Sequence, residues 1–493
     1  SVSNGSYPMI HTPVLVGVAQ LEQRSEQPEA AREPIDLMIE AVQMAARDAE
    51  CPDLLSGAKS IRVIRGMWPY GNPARAVADA IGANGVETAI APFGGNFVQS
   101  VVNLSALEIQ RGEQEIIIIT GAECGNTQAK ARRAGIELTW QELPGEPDRW
   151  LGAQKLLRHE AEKAAHIGRP IQVYPILENA LRHHRGETIE DHLVRISELW
   201  AGFSAVAAAN PHAWIREAKS AEEIRTPSKL NRPVSFPYPK FMNSNSNVDQ
   251  GAALIMCSTE KARSLGIPES RWVYPWAGTD AHDHYFLSNR DNFYSSPPIR
   301  LAAARCLEFA GLEAADLDLV DLYSCFPIAV QVSALEIGLD LNRPLTVTGG
   351  LTFAGGPMNN YVMHSIARMV ELLRASPEAK GLITANGGFI TKHAFGIYSS
   401  TEPELPFRHA DLQAELADMP KREAVLAHTG DAEVESYTVM YGPEGPTIGH
   451  VSALLTDGRR AWANVHDPEV IASMTREEFC GRPVKLADYE ATF

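Results

Sequence analysis

Tyr323, His393 and Asn386 are the side chains whose type and place in the sequence best suit chemistry. Tyr323 follows the apolar run Leu317–Leu322, and a phenol of ordinary pKa about 10 can act as an acid, or as a base if perturbed. It can equally cap a strand end with its hydroxyl bonded. His393 lies between the Gly387-Gly388 turn and a strand, where an imidazole can reach a pocket or simply hold the turn. Asn386, like Asn96, stands beside glycines and can donate hydrogen bonds to a developing oxyanion or stabilise a tight turn. Cys325 is expected on the opposite face of the strand from Tyr323, as a buried small hydrophobe rather than a nucleophile. His364 lies about two helical turns beyond Gly356, which suits a satisfied core histidine. His183-His184, among Arg182, Arg185 and Glu187, reads as a solvated helix end with no metal partner. Lys155, Arg158, Lys163 and Arg169 can face phosphates, or form an exposed charged helix balanced by Glu160 and Glu162.

Some 493 residues are too many for one core, so two or three domains are expected. The formal charge of −17 opposes binding to nucleic acid or anionic membranes, though a small basic patch can still serve one anionic ligand. No apolar run is long enough to span a bilayer. Ser1–Pro13 lacks a basic region followed by an apolar stretch, so no signal peptide is expected. Six cysteines are scattered without paired or metal-ligand spacing, which suits reduced thiols in the cytoplasm and no metal site.

The elements that position these residues follow from periodicity. Val14–Val18, Ser60–Ile64, Thr88–Ala91 and Ile116–Thr120 read as strands, with helices at Pro34–Ala49 and Phe97–Arg111 between them. Such alternation implies a largely parallel sheet with right-handed crossovers. From Cys124 to about Asn243 the chain is rich in Arg, His, Glu and Trp, with helical patterns at Trp150–His166 and Ile189–Ala209. A strand returns at Gly251–Cys257, and a second α/β pattern follows. It has strands at Trp272–Pro275, Leu317–Leu322, Gly381–Ala385 and Ala394–Ser399. Its helices fall at Ile299–Ala310, Ile328–Ile337 and Asn360–Leu373, with a glycine-rich turn at Gly349–Gly356. Two similar halves suggest an internal duplication. Thr401–Pro406 is a linker signal, and the strands and turns after about Arg422 read as a small β-domain or barrel.

Five segments in order resemble the thiolase superfamily over residues 10–400. They are Gly94–Ser100 with its helix and the strand Glu115–Glu123, Ser246–Ala253, Asp321–Phe326, Gly349–Pro357 and Ala385–Gly388. Asp321–Phe326 is closest to the form found in sterol-carrier-protein thiolases. With the β-rich tail and insertion segments such as Asn210–Trp214, the chain resembles bacterial thiolase-like proteins of type 1, usually labelled acetyl-CoA acetyltransferases. The resemblance implies an α/β duplicated thiolase fold, two βαβαβαββ halves layered α-β-α-β-α. It divides the chain into an N-terminal half 1–270 with a helical loop domain 124–243, a C-terminal half 271–402 and an OB-like β-domain 422–493.

It also implies CoA or acyl-CoA as ligand, with Ser244 and Ser246 in the CoA-contacting loop. Four positions depart from the pattern. Gly95 stands where the nucleophilic cysteine belongs, Gly356 replaces the histidine that activates it, and Ala385 replaces the second cysteine. Tyr323 takes the place of the residue that positions an oxyanion-site water. Glycine and alanine cannot transfer protons, so acyl-cysteine thiolysis or Claisen chemistry is not expected through these positions. A retro-aldol or retro-Claisen lyase using Tyr323 and a non-catalytic acyl-CoA-binding protein are the alternatives. A lyase needing a partner module is a third. A monomer is expected rather than a homodimer.

Overall fold

The computed structural model describes residues 10–493; the Ser1–Met9 part of the signal-peptide reading lies outside them. The first half runs β1 (Pro13–Glu22), α1 (Pro34–Asp48), β2 (Ser60–Ile64), α2 (Pro73–Ile81), β3 (Glu87–Ala91), α3 (Phe97–Gln110) and β4 (Ile117–Cys124). An insertion follows, with β5 (Arg149–Trp150), α4 (Pro170–Arg185), α5 (Ile189–Ala209) and a hairpin of β6 (Pro233–Ser235) and β7 (Tyr238–Pro239). The chain then returns to the core as β8 (Asp249–Ser258). The second half is β9 (Tyr274–His282), α6 (Pro297–Ala310), β10 (Leu319–Asp321), α7 (Pro327–Ile337), α8 (Tyr361–Ala375), β11 (Gly381–Gly387), β12 (Lys392–Ser399) and β13 (Arg408–Asp411). The tail contributes β14 (Gly430–Gly442), β15 (Gly445–Leu454), β16 (Arg460–Val465), β17 (Pro483–Ala487) and β18 (Glu490–Thr492).

The topology carries the duplication that residue identity hides. The first sheet is ordered β1-β8-β4-β2-β3-β5 and the second β13-β9-β12-β11-β10. β9, β12, β11 and β10 repeat the pairing senses of β1, β8, β4 and β2: antiparallel, antiparallel, parallel. Leu345–Val347 runs beside the end of β10, where β3 stands in the first half: Leu322 N donates to Leu345 O at 2.9 Å. Val347 N donates to the Asp321 carboxylate at 2.9 Å. α3 and α8 occupy equivalent places and pack between the sheets, while α1 and α6 cover the outer faces. Ile117, Ile118 and Ile119 are fully buried because β4 is covered on both sides, so no polar alternation survives there.

Two expectations from periodicity need correction. Trp150–His166 is not one helix: Trp150 pairs with Ile90 of β3, and helix spans only Glu160–Ala164. The stretch between instead crosses the mouth of a cavity that Gln154 and Leu157 line. The glycine-rich segment before α8 is not all turn, since Gly350–Phe353 forms one helical turn. The second sheet also runs past residue 402, because β13 adds parallel to β9.

The tail closes into a five-stranded barrel in which β14 pairs with β15 and β17, β15 with β16, and β18 with both β16 and β17. Its strands join neither core sheet, but Met440 of β14 pairs with Ser235, so the insertion's hairpin extends the barrel wall. Docking is polar and specific. The Asn179 amide of α4 donates to Tyr437 O at 2.7 Å, and Ser436 Oγ donates to Ile176 O at 2.5 Å. The fully buried Arg460 donates to the carbonyls of Ser288 and Arg290 and pairs with Glu435. No helix among the described residues is long and apolar enough to cross a membrane.

Candidate active-site cavity

The amino ends of α3 and α8 converge on one cavity of about 420 Å³. Its floor is made by Gly94, Gly95 and Gly356 at the two helix starts, with Tyr323 from the loop after β10 and Asn386–Gly388 from the end of β11. Its roof is the insertion, through Gln154, Leu157, Ile171 and Tyr174. Asn359 ties the helix starts together, accepting from Gly94 N at 3.1 Å and donating to Arg65 O at 2.9 Å. Tyr174 joins roof to floor by donating to Gly388 O at 2.7 Å and stacking on Phe326 at 4.5 Å.

The space beside Gly95 is already taken. A Cβ built there would lie 2.4 Å from the Tyr323 hydroxyl and 2.4 Å from Asn386 O, far inside contact distance. Tyr323 is held by its own backbone N–H donating to Thr384 Oγ1 at 2.9 Å, and its ring meets Tyr361 edge-on at 5.8 Å. Burial pushes its phenol above the ordinary range, so near neutral pH it keeps its proton and acts as a donor. Around Gly356 a Cβ would meet the carbonyls of Asn245 and Leu351 at 3.2 Å. Ala385 is buried in β11 and does not line the cavity; its neighbour Asn386 does.

The candidates read from sequence are therefore divided. Tyr323, Asn386, Ser244 and Ser246 share the cavity. The Oδ1 atoms of Asn386 and Asn243 are buried without a hydrogen-bond partner among the described residues. Ser244 Oγ donates to Cys325 O at 2.9 Å, fixing the serine loop to the floor. His393 is elsewhere: it faces a second cavity with Asp280, His282 and His409, and its Nε2 lies 3.1 Å from Ile390 O. Burial, then the neighbouring Arg290, push its imidazole down to about 3. Tyr323 and His393 thus do not meet.

Cys325 lines the same cavity as Tyr323, against expectation. β10 ends at Asp321, and residues two apart in extended backbone share a face in any case. Burial pushes its thiol up to about 12, which leaves it inert as a nucleophile. His364 sits in the core, its Nδ1 3.0 Å from Gln20 Oε1. Among the proposed phosphate partners, Lys163 pairs with Glu160, Arg158 donates to Ile167 O, and Lys155 faces the His393 cavity. His183 comes near Glu478 and Cys480 of the tail, but Arg182 already donates to that carboxylate and burial holds the Cys480 thiol protonated.

Sequence reasoning passed over Lys392. It opens β12, is 7% exposed, and lines the cavity wall. A lysine at the start of an otherwise buried strand, four residues after Gly388 of a Gly-Gly turn, was the available signal.

Residues 411–490 match the family described as the thiolase-like protein type 1 additional C-terminal domain. The crystal structure of a monomeric SCP2-thiolase-like protein type 1 from Mycobacterium smegmatis is 31% identical, with 99% of each chain covered and a TM-score of 0.84. An Ltp2–ChsH2(DUF35) aldolase shares the fold at 18% identity, over 80% of this chain and 99% of that one, with a TM-score of 0.58. The acetyl-CoA acetyltransferase of Methanocaldococcus jannaschii is 24% identical over 132 residues, which are 27% of this chain and 32% of that protein. The matched segments span about a third of the length of such curated relatives.

Proposed function

The chain belongs to the thiolase-like proteins of type 1, and from that premise we propose that it binds CoA thioesters in the cavity between insertion and core without forming an acyl-cysteine. One observation carries this reading: the Tyr323 hydroxyl fills the space that a side chain at position 95 would need. A thiolase requires a thiolate there to attack and leave. Here the same volume holds a neutral phenol, which can donate a hydrogen bond to a thioester carbonyl but cannot take an acyl group onto sulfur. Asn386 and the Ser244–Ser246 loop supply further polar contacts along the same wall.

Two features support a single-chain, cytoplasmic protein. The outer edge of β3 is closed by Arg149–Trp150 of the same chain, pinned by Arg149 to Glu108 at 2.7 Å, so a second copy cannot add a strand there. All six cysteines are unpaired. Calorimetric titration with CoA and acetoacetyl-CoA tests the ligand, and no heat at millimolar concentration would remove it. Light scattering tests the assembly: a mass near 53.8 kDa is expected, and a dimer would contradict the reading.

A further inference from the structure

Lys392 has a setting unlike an ordinary lysine. Its ammonium makes one hydrogen bond, to Phe93 O at 3.3 Å, and lies 4.9 Å from the centre of the Phe97 ring. It forms no ion pair among the described residues. The fold makes room for it. A Cβ at Gly94 would stand 2.8 Å from its Nζ, and one at Gly387 would stand 3.2 Å from its Cε. Gly94 also has φ of 149°, a conformation side chains rarely adopt. These two glycines leave a passage that delivers the amine to the start of α3, and Lys392 and Tyr323 line the same cavity. Burial pushes the amine down to about 8, so an appreciable share is free base near neutral pH.

We propose that Lys392 is the covalent group of this cavity, its amine condensing with the ketone of a bound β-ketoacyl thioester to give a protonated imine. The inference rests on the acyl-CoA reading for how the ketone is delivered, but not for the reactivity of the amine. The nitrogen lone pair forms the C–N bond as the carbonyl π pair moves to oxygen, which takes up a proton to give the carbinolamine. The nitrogen gives up one proton, the C–O bond breaks with a second proton added to oxygen, and water leaves. Overall, amine, ketone and one proton give iminium and water, with no oxidant or reductant. Tyr323, which lines the same cavity and is kept neutral by burial, donates a hydrogen bond to that oxygen, while the protons themselves come from solvent. The iminium is then an electron sink for loss of a proton from the carbon between it and the thioester.

The test uses two probes on the full chain. Acetylacetone, a β-diketone without CoA, reports the amine alone through the near-ultraviolet absorbance of its lysine enaminone. Acetoacetyl-CoA with borohydride reports imine formation, located by peptide mass mapping. Both are expected to label Lys392 at least tenfold faster than any other lysine, with a pH midpoint near 8 for acetylacetone. Lys392→Arg and Lys392→Met should lose the adduct, and Tyr323→Phe should slow it several-fold while leaving it on Lys392. Labelling of Lys392 by acetylacetone without any CoA binding would uphold the amine and overturn the thioester reading. CoA binding with neither adduct, or labelling spread evenly over surface lysines, would overturn the inference.

Discussion

The two helix-start loops, Gly94–Asn96 before α3 and Gly355–Pro357 before α8, occupy equivalent places in the duplicated halves but are closed differently. At Gly95 the missing side chain is replaced by another residue's hydroxyl and by a carbonyl, both 2.4 Å from where a Cβ would sit. At Gly356 only carbonyls approach, and no nearer than 3.2 Å. The first loop is closed by the polar group of Tyr323, the second by backbone alone. Equivalent topology therefore does not imply equivalent surroundings: on the α3 side Tyr323 and Lys392 each approach one glycine of the Gly94-Gly95 dipeptide.

That contrast sets a graded series of substitutions. Gly95→Ala should be the most damaging, lowering stability by about 3 kcal/mol because neither the phenol nor the Asn386 carbonyl can retreat easily. Chemical denaturation measures it, and Tyr323→Phe in the same chain should return about 1 kcal/mol of the loss through direct coupling. Equal costs with and without Tyr323→Phe would mean the hydroxyl is not the obstacle.

Lys392→Met should act in the opposite direction. The native amine's pKa is depressed, so the unfolded chain binds that proton more strongly, and the charge costs its full amount below about pH 8 and progressively less above it. The variant should gain about 3 kcal/mol at pH 7, shrinking from about pH 8 and reaching nothing above the unfolded value of about 10.4. A pH-independent difference would assign the gain to packing instead. Gly356→Ala should be the mildest, about 1 kcal/mol or less, since a few tenths of an ångström suffice. A cost matching that of Gly95→Ala would erase the contrast between the loops.

Much of the core was legible because period and burial agree. Ile189–Ala209 reads as a helix and is one, capped by the Thr188 side chain, and Ser60–Ile64 reads as a short buried strand and is β2. Residues that answer to tertiary partners were not legible. Trp150 reads as helix but is drawn into a sheet edge by Ile90, and Arg408–Asp411 carries no strand pattern yet pairs with β9. In the site, Gly95, Tyr323 and Asn386 came from motif order. Their physical relation, a hydroxyl standing in the place of a side chain, exists only in three dimensions. Lys392 was missed because its meaning lies in what surrounds it: two glycines, a ring and no carboxylate.

Titrating the full-length protein with acetoacetyl-CoA in the presence of free CoA, while following acetyl-CoA release, probes the reading of Gly95 and Tyr323 most directly. Saturable binding with no acetyl-CoA above the uncatalysed background is the predicted result. Turnover at ordinary enzyme rates, roughly 1–10³ per second, would show that a thiolase mechanism survives in this cavity without a cysteine at position 95.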